Sequence, residues 1–328
     1  MNGFKAELSG LNLLVGVLGY AVFNVGVTCF VLISGYFGIT LKRDRILQLD
    51  LLIIFYSLLS ILYSGVSGDG VSAVNVISAL FPVTCRRYWF MTCYMQLALL
   101  SPFINQIPEK MKKENYEKLL GVGLLIFSVL PTIIFTTGST SSGSGKRLEN
   151  MILIYLIGRY IRLYADKRRS RKKLLTASAV CLLLTFLPNI VLSLYRGECT
   201  SNFARDCSLT VILSAIMIFL LFKEIPLYSP LVNSLAKHVM AAYVFEETVR
   251  TALGKCFDIS VYVGSPGLIA VVAAYALLVL AICFAIDIVR GFVLQKPEAL
   301  VIRAEGMALD GLQRMGKHLW NLCADKMA

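Results

Sequence analysis

Long apolar runs, broken by short polar and basic stretches, set the pattern of this chain. No charged residue occurs from Leu8 to Leu41. That is too long for one span, which takes about 20 residues. It reads as a lead-in segment followed by a helix over 22–41. Lys42, Arg43 and Arg45 close it, and a second span is expected over 51–67. A Gly/Ser-rich loop at Asp69 leads into 71–85, which is apolar but short for a crossing. This stretch reads as a re-entrant or interfacial piece, tolerated only where protein or a cavity satisfies its backbone. Further spans are expected over 88–107, 119–137, 151–164, 174–195, 208–222, 239–253 and 267–289.

The fold class is therefore all-α: a polytopic transmembrane helix bundle of about nine spans. The bundle occupies residues 1–293, and a polar tail follows over 294–328. In that tail Ala308, Leu312, Met315, Leu319 and Leu322 fall on one face of an amphipathic helix, the pattern of a segment lying on the membrane surface.

Composition agrees. Hydrophobic residues make up 57% of the chain and charged ones only 16%, against about 25% in soluble domains. The net charge of +12 could suggest nucleic acid, but its distribution excludes that reading. The Lys and Arg sit in short clusters between apolar runs, which is how a membrane protein fixes its orientation and meets anionic lipid headgroups. The loops that begin at Lys42, Lys110, Lys167 and Lys223, with the tail after Arg290, carry most of the positive charge and are assigned to the cytoplasm. The C-terminus is then cytoplasmic and residue 1 falls outside, so a further helix is expected upstream. No metal is expected: the nine cysteines form no CxxC pair and only two histidines occur. Cys199 and Cys207 lie in one exported loop, where a disulfide is expected.

Several segments carry a resemblance. They are NVGVTCFVLISGYF (24–37), YWFMTCY (88–94) running on to SPFIN (101–105), and YLIGRYIR (155–162). A weaker one covers 234–243 and the end of the last span at Asp287 and Arg290. In this order and spacing they resemble acyltransferase family 3, the polytopic membrane enzymes that O-acylate surface polysaccharides. The resemblance covers about Val22 to Val293.

The resemblance implies a bundle of about ten helices in a bacterial plasma membrane. It implies acyl-CoA, in the simplest case acetyl-CoA, as the cytoplasmic donor, with no metal. The acceptor it implies is a hydroxyl of a surface polysaccharide or of a lipid-linked glycan precursor, and membrane lipids are the other partner. A histidine of the first helix acts as general base or acyl acceptor in such enzymes, and that helix would precede residue 1 here. A second family histidine aligns with Glu246. Two alternatives stand beside the enzyme: a catalytically inactive truncated member, and a glycan transporter or flippase component.

Candidate site residues follow, each with its structural alternative. Glu246 takes the family's histidine position and is the candidate catalytic residue, since a carboxylate within a span suggests function; with Glu247 it could equally be solvated at the interface. Arg86 and Arg87 precede the aromatic start of a span at Tyr88 and Trp89, and line a substrate cavity or anchor the interface. Ser34 and Tyr36 face the acceptor, or Ser34-Gly35 allows close helix packing. Arg159 and Arg162 bind CoA phosphates, or snorkel to headgroups. His238 reads as a structural histidine at a helix start, and His318 as a surface residue of the tail.

Overall fold

In lipid, a backbone polar group must be satisfied within its own segment or by a neighbouring chain, and uninterrupted apolar runs do this as helices. The computed structural model describes residues 8, 10–134, 143–226 and 228–327, and of Gln295 and 308–327 the backbone only. Among the described residues all regular structure is helical, with no strand. The protein is a multi-pass membrane protein of all-α class.

The helices in chain order are α1 (Gly10–Phe23), α2 (Val25–Phe37), α3 (Arg43–Val66), α4 (Ala73–Leu80), α5 (Trp89–Ile104), α6 (Gln106–Lys110) and α7 (Lys113–Leu124). A π turn over Leu125–Val129 joins α7 to α8 (Leu130–Ile133). Then come α9 (Leu148–Tyr164), α10 (Arg171–Arg196), α11 (Leu209–Lys223), α12 (Pro230–Ala236), α13 (Val239–Cys256) and α14 (Leu268–Met327). Each expected span overlaps helical residues, that over 119–137 being shared by α7, the π turn and α8, with 135–137 outside the described residues. Among the described residues five stretches are long and apolar enough to cross a membrane: Gly10–Phe37, Arg43–Val66, Lys113–Ile133, Arg171–Arg196 and Leu268–Leu294.

The first run differs from expectation. It is helical from Gly10, not from 22, and is interrupted only at Asn24. The Asn24 Nδ2 donates to the Ala204 carbonyl at 2.6 Å, so a polar side chain marks the break. Segment 71–85 contains the short α4, whose N-terminus is capped by Ser72 Oγ accepting from the Asn75 N–H at 3.2 Å. The helix α14 runs through 293–294 without a break. The side chains of the expected amphipathic face, Ala308 to Leu322, lie outside the described residues, as do Met1 to Glu7.

The chain divides into two compact units, each discontinuous in sequence. One comprises 1–40, 88–229 and 254–276; the other comprises 41–87, 230–253 and 277–328. In the first, α9 packs on α2, α5 and α7, while α10 lies against α1 and α11. Tyr116 and Tyr155 are among its largest fully buried side chains, and the Tyr116 hydroxyl donates to the Leu156 carbonyl at 2.7 Å. A second cluster gathers Leu13, Val17, Ile190, Cys199 and Leu268. Cys199 and Cys207 are both buried and are not joined to each other, so the expected disulfide is not formed. In the second unit, Ile53 and Tyr56 of α3 are fully buried, and the Tyr56 ring lies 5.1 Å from that of Phe245 on α13.

Candidate functional site

In the first unit the three motifs converge on the C-terminal end of α2. Gly35 of α2 and Gly158 of α9 bring the two backbones into contact. A Cβ on Gly35 would lie 2.2 Å from the Tyr155 carbonyl oxygen, and one on Gly158 would lie 2.5 Å from that of Leu32. This approach is what small residues permit between membrane helices. It sets Tyr36 beside Gly158 and Arg162.

The chain leaves α2 at Gly38, with φ +78°. Beyond it, Ile39 is held at both of its backbone polar groups. Its N–H donates to the Tyr155 hydroxyl at 2.9 Å, and its carbonyl accepts from Asn105 Nδ2 at 3.1 Å. The Tyr155 hydroxyl in turn donates to Asn105 Oδ1 at 2.6 Å. Asn105 ends the second motif, Tyr155 begins the third, and Ile39 follows the first.

Cations gather around this clamp. Arg159 Nη1 lies 3.0 Å from where a Gly38 Cβ would stand. Its Nε is buried and has no hydrogen-bond partner among the described residues. Arg162 donates through Nη1 to the Tyr36 hydroxyl at 3.2 Å and to Asp166 at 2.9 Å. Its guanidinium lies 5.2 Å from the Tyr36 ring centre, and Lys223 Nζ of α11 lies 5.7 Å from it. Lys223 also pairs with Asp166. The hydrogen bonds from Lys223 and then Tyr36 hold the Asp166 carboxyl below the usual carboxylate range. Arg159, Arg162 and Lys223 thus outnumber the one carboxylate of this cluster, which suits it to an anion.

The other expected residues are placed as follows. Ser34 Oγ donates to the Phe30 carbonyl of its own helix at 3.0 Å. Tyr88 stands at the start of α5, and Lys146 Nζ lies 5.5 Å from the Trp89 ring centre. In the second unit, Arg86 turns the chain with φ +52° and Arg87 Nη1 donates to Ser78 Oγ at 3.0 Å. Glu246 is about half exposed, its side chain at 47%, and faces Arg250 one turn along α13 at 3.8 Å. Glu247 faces the same arginine at 3.8 Å.

The second unit holds a polar network whose pairings the sequence does not show. Asp287 of α14 is 3% exposed. Its Oδ1 accepts from the Tyr56 hydroxyl and from Arg290 Nε, both at 2.8 Å. Its Oδ2 lies 2.6 Å from His238 Nδ1. Arg290 also pairs with Glu298 and lies about 6 Å from the rings of Phe55 and Tyr56. Beside it, Ser60 and Thr248 share a hydrogen bond of 2.7 Å. In sequence, His238, Asp287 and Arg290 fall within the weaker fourth segment, and nothing there joins them to Tyr56.

A family model described as an acyltransferase domain, of the third acyltransferase family, matches residues 3–288. No curated protein and no solved structure matches the chain.

Proposed function

The chain belongs to the acyltransferase 3 family, and from that premise we propose that this membrane acyltransferase is an O-acyltransferase that takes its acyl group from acyl-CoA. The acyl group, acetyl in the simplest case, passes to a hydroxyl of a cell-surface polysaccharide or of its lipid-linked precursor. The membrane is a bacterial plasma membrane, with the basic loops and the C-terminus on the cytoplasmic side.

The observation that carries this reading is Arg159. A buried guanidinium nitrogen without a partner is costly, and such groups call for an explanation in function. Here it stands beside Gly38, next to the clamp that joins three family segments, with Arg162 and Lys223 close by. Phosphate groups of coenzyme A meet a planar guanidinium with two acceptor oxygens and offset the excess positive charge. Asp166 holds Arg162 and Lys223 at the Tyr36 ring, which keeps the site shaped for its anion.

The test offers labelled acetyl-CoA to membranes that contain the protein. Label on glycan supports the proposal. Glycan translocation without acylation supports a transporter, and neither outcome leaves a chain without catalytic activity.

A further inference from the structure

We propose that α4 and the turn after it form a docking surface for the lipid-linked form of the acceptor, a glycan carried on a lipid diphosphate; this rests on the acyltransferase reading above. Val74 and Ile77 of α4, and Phe81 at its end, recur three and four residues apart and so share one side of the helix. They are 73%, 54% and 59% exposed. Ala79, on the opposite side, is fully buried, and α4 packs on α3. Lys42, Arg43 and Arg45 stand at the start of α3, so the orientation proposed above puts 67–87, past its far end, at the outer surface of the membrane. An apolar strip on a short helix at that level meets hydrocarbon chains.

The strip has a cationic edge. Ser78 follows Ile77, about 100° round the helix, and its hydroxyl accepts from Arg87 Nη1 at 3.0 Å. The same hydroxyl donates to the Asn75 carbonyl at 2.9 Å, which fixes its direction. Arg87 therefore reaches back from the turn to the flank of the strip. The turn is knit by backbone hydrogen bonds: the N–H of Cys85 donates to the Phe81 carbonyl at 2.9 Å, that of Arg86 to Val83 at 3.2 Å, and that of Arg87 to Pro82 at 2.9 Å. At Arg86 the backbone is left-handed, with φ +52°. The left-handed positions between α3 and α4, Gly68 and Gly70, are glycines. A side chain in this conformation costs stability, and such strain gathers at functional sites. An arginine that only anchored the interface would serve as well in relaxed backbone. Arg86 is exposed, and the charged residues of 67–87 are Asp69, Arg86 and Arg87, so the segment is net positive.

An apolar strip with arginines at its edge fits an amphiphile with an anionic head. A phospholipid brings one phosphate. A lipid diphosphate brings two in a row, one for each guanidinium, and each planar fork takes two oxygens. Val74, Ile77 and Phe81 then lie along the hydrocarbon chain, and the glycan beyond the second phosphate points away from the membrane. The surface binds and makes or breaks no bond. Its chemistry names the lipid-linked precursor, and not finished polysaccharide, as the acceptor.

The experiment measures equilibrium binding of radiolabelled geranylgeranyl diphosphate to the full chain in detergent, with dioleoyl phosphatidylglycerol as competitor. Saturable binding is expected, and the phospholipid should displace the label far less well than unlabelled diphosphate does. Arg86→Asn removes the charge and puts there a residue that tolerates left-handed backbone. It and Arg87→Gln should each weaken binding by about 10-fold or more, the loss of a charge-assisted hydrogen bond. Their melting temperatures should stay close to that of the wild type. Replacing the strip, Val74→Ser with Ile77→Ser, should weaken binding as well. No binding by the wild type overturns the proposal, as does a folded Arg86→Asn variant that binds like the wild type. Phosphatidylglycerol that competes as well as the diphosphate also overturns it, and reduces α4 to a general lipid contact. Coenzyme A release from acetyl-CoA by membranes that contain the protein is measured separately. Release by a chain that binds no lipid diphosphate removes the docking surface and keeps the enzyme. Binding without release keeps the docking surface and removes the enzyme.

Discussion

The hydroxyl of Tyr155 donates to Asn105 Oδ1 at 2.6 Å, which joins the start of one family segment to the end of another 50 residues away. The same hydroxyl accepts the N–H of Ile39, just past the first segment. Three stretches that look independent along the chain are thus one structural unit, and its centre is a single phenol. Tyr155→Phe keeps the ring but leaves the Ile39 N–H and one face of Asn105 without a partner. A buried unsatisfied group costs about 1–3 kcal/mol. The variant should melt at lower temperature in detergent than the wild type. An unchanged melting temperature would show that the clamp contributes nothing to stability.

Much of this architecture is legible in sequence, because apolar length and charge placement determine where helices cross. The expected spans overlap helical stretches, and the segments that resemble the family supply the side chains of the clamp. What the pattern misses are pairings across long separations. His238 and Asp287 are 49 residues apart, and nothing in local spacing joins them. His238 therefore reads as a helix-start residue until its partner is seen. Residues 10–22 read as a lead-in because apolar content alone does not say where a helix starts. Cys199 and Cys207 satisfy every sequence condition for a bond, yet pack as separate buried thiols, since spacing does not fix the distance between Cα atoms. Glu246 is conspicuous in sequence as a carboxylate within a span, but α13 turns it toward Arg250 and half into the open.

Gly35 should tolerate no side chain. A Cβ there meets the Tyr155 carbonyl at 2.2 Å, and backbone does not move as a flexible side chain does. Gly35→Ala must therefore push α2 off α9 and open the clamp with it. Gly121, in α7, has nothing within 4 Å of the same atom. Gly121→Ala should be neutral or stabilising by roughly 0.5–1 kcal/mol, the usual gain for alanine over glycine in a helix. The yield of folded protein and the melting temperature measure both variants. Equal behaviour of the two would reject the contact between the helices as the cause.

Asp206 makes stability depend on pH. It sits in the loop between α10 and α11, under Gly145, whose Cβ would lie 2.8 Å from its own. Asn150 Nδ2 donates to its backbone carbonyl at 3.4 Å. Burial pushes its carboxyl from 3.8 up to about 6, against the pull of Lys146. Between about pH 4 and 6 the folded protein thus holds a proton that the unfolded chain has released. The stability this group contributes is present below about pH 4 and is lost as pH rises through about 6. Asp206→Asn removes the titration and should stabilise the protein at neutral pH by up to about 3 kcal/mol. The gain over wild type, followed by thermal unfolding across pH, should shrink toward zero at the acid end. A gain that is constant across pH would assign the effect to packing instead of charge.

The last prediction separates a binding cation from a merely basic surface. Arg159 and Arg169 are both arginines of one basic region, and composition gives no ground to rank them. Their surroundings do. Arg169 is exposed, and its Nη2 donates to the Ala165 carbonyl at 3.5 Å. Its neighbours Lys167, Arg168, Arg171, Lys172 and Lys173 supply the same charge, so Arg169→Gln should change little. Arg159 has a buried Nε with no partner among the described residues and stands against the backbone of Gly38. If it holds a phosphate of acyl-CoA, the lost interaction is a charge-assisted hydrogen bond of about 1.5–3 kcal/mol. That is roughly 10- to 150-fold in affinity. Arg159→Gln should therefore raise the KM for acetyl-CoA by about that factor, with a smaller effect on kcat, because ground-state and transition-state binding are lost together. The KM for the glycan should not move. Arg159→Lys keeps the charge but not the planar fork and should fall between the two. Equal KM values for acetyl-CoA in the Arg159 and Arg169 variants would reduce Arg159 to an anchor at the headgroups, and the donor's phosphates would have to be sought elsewhere.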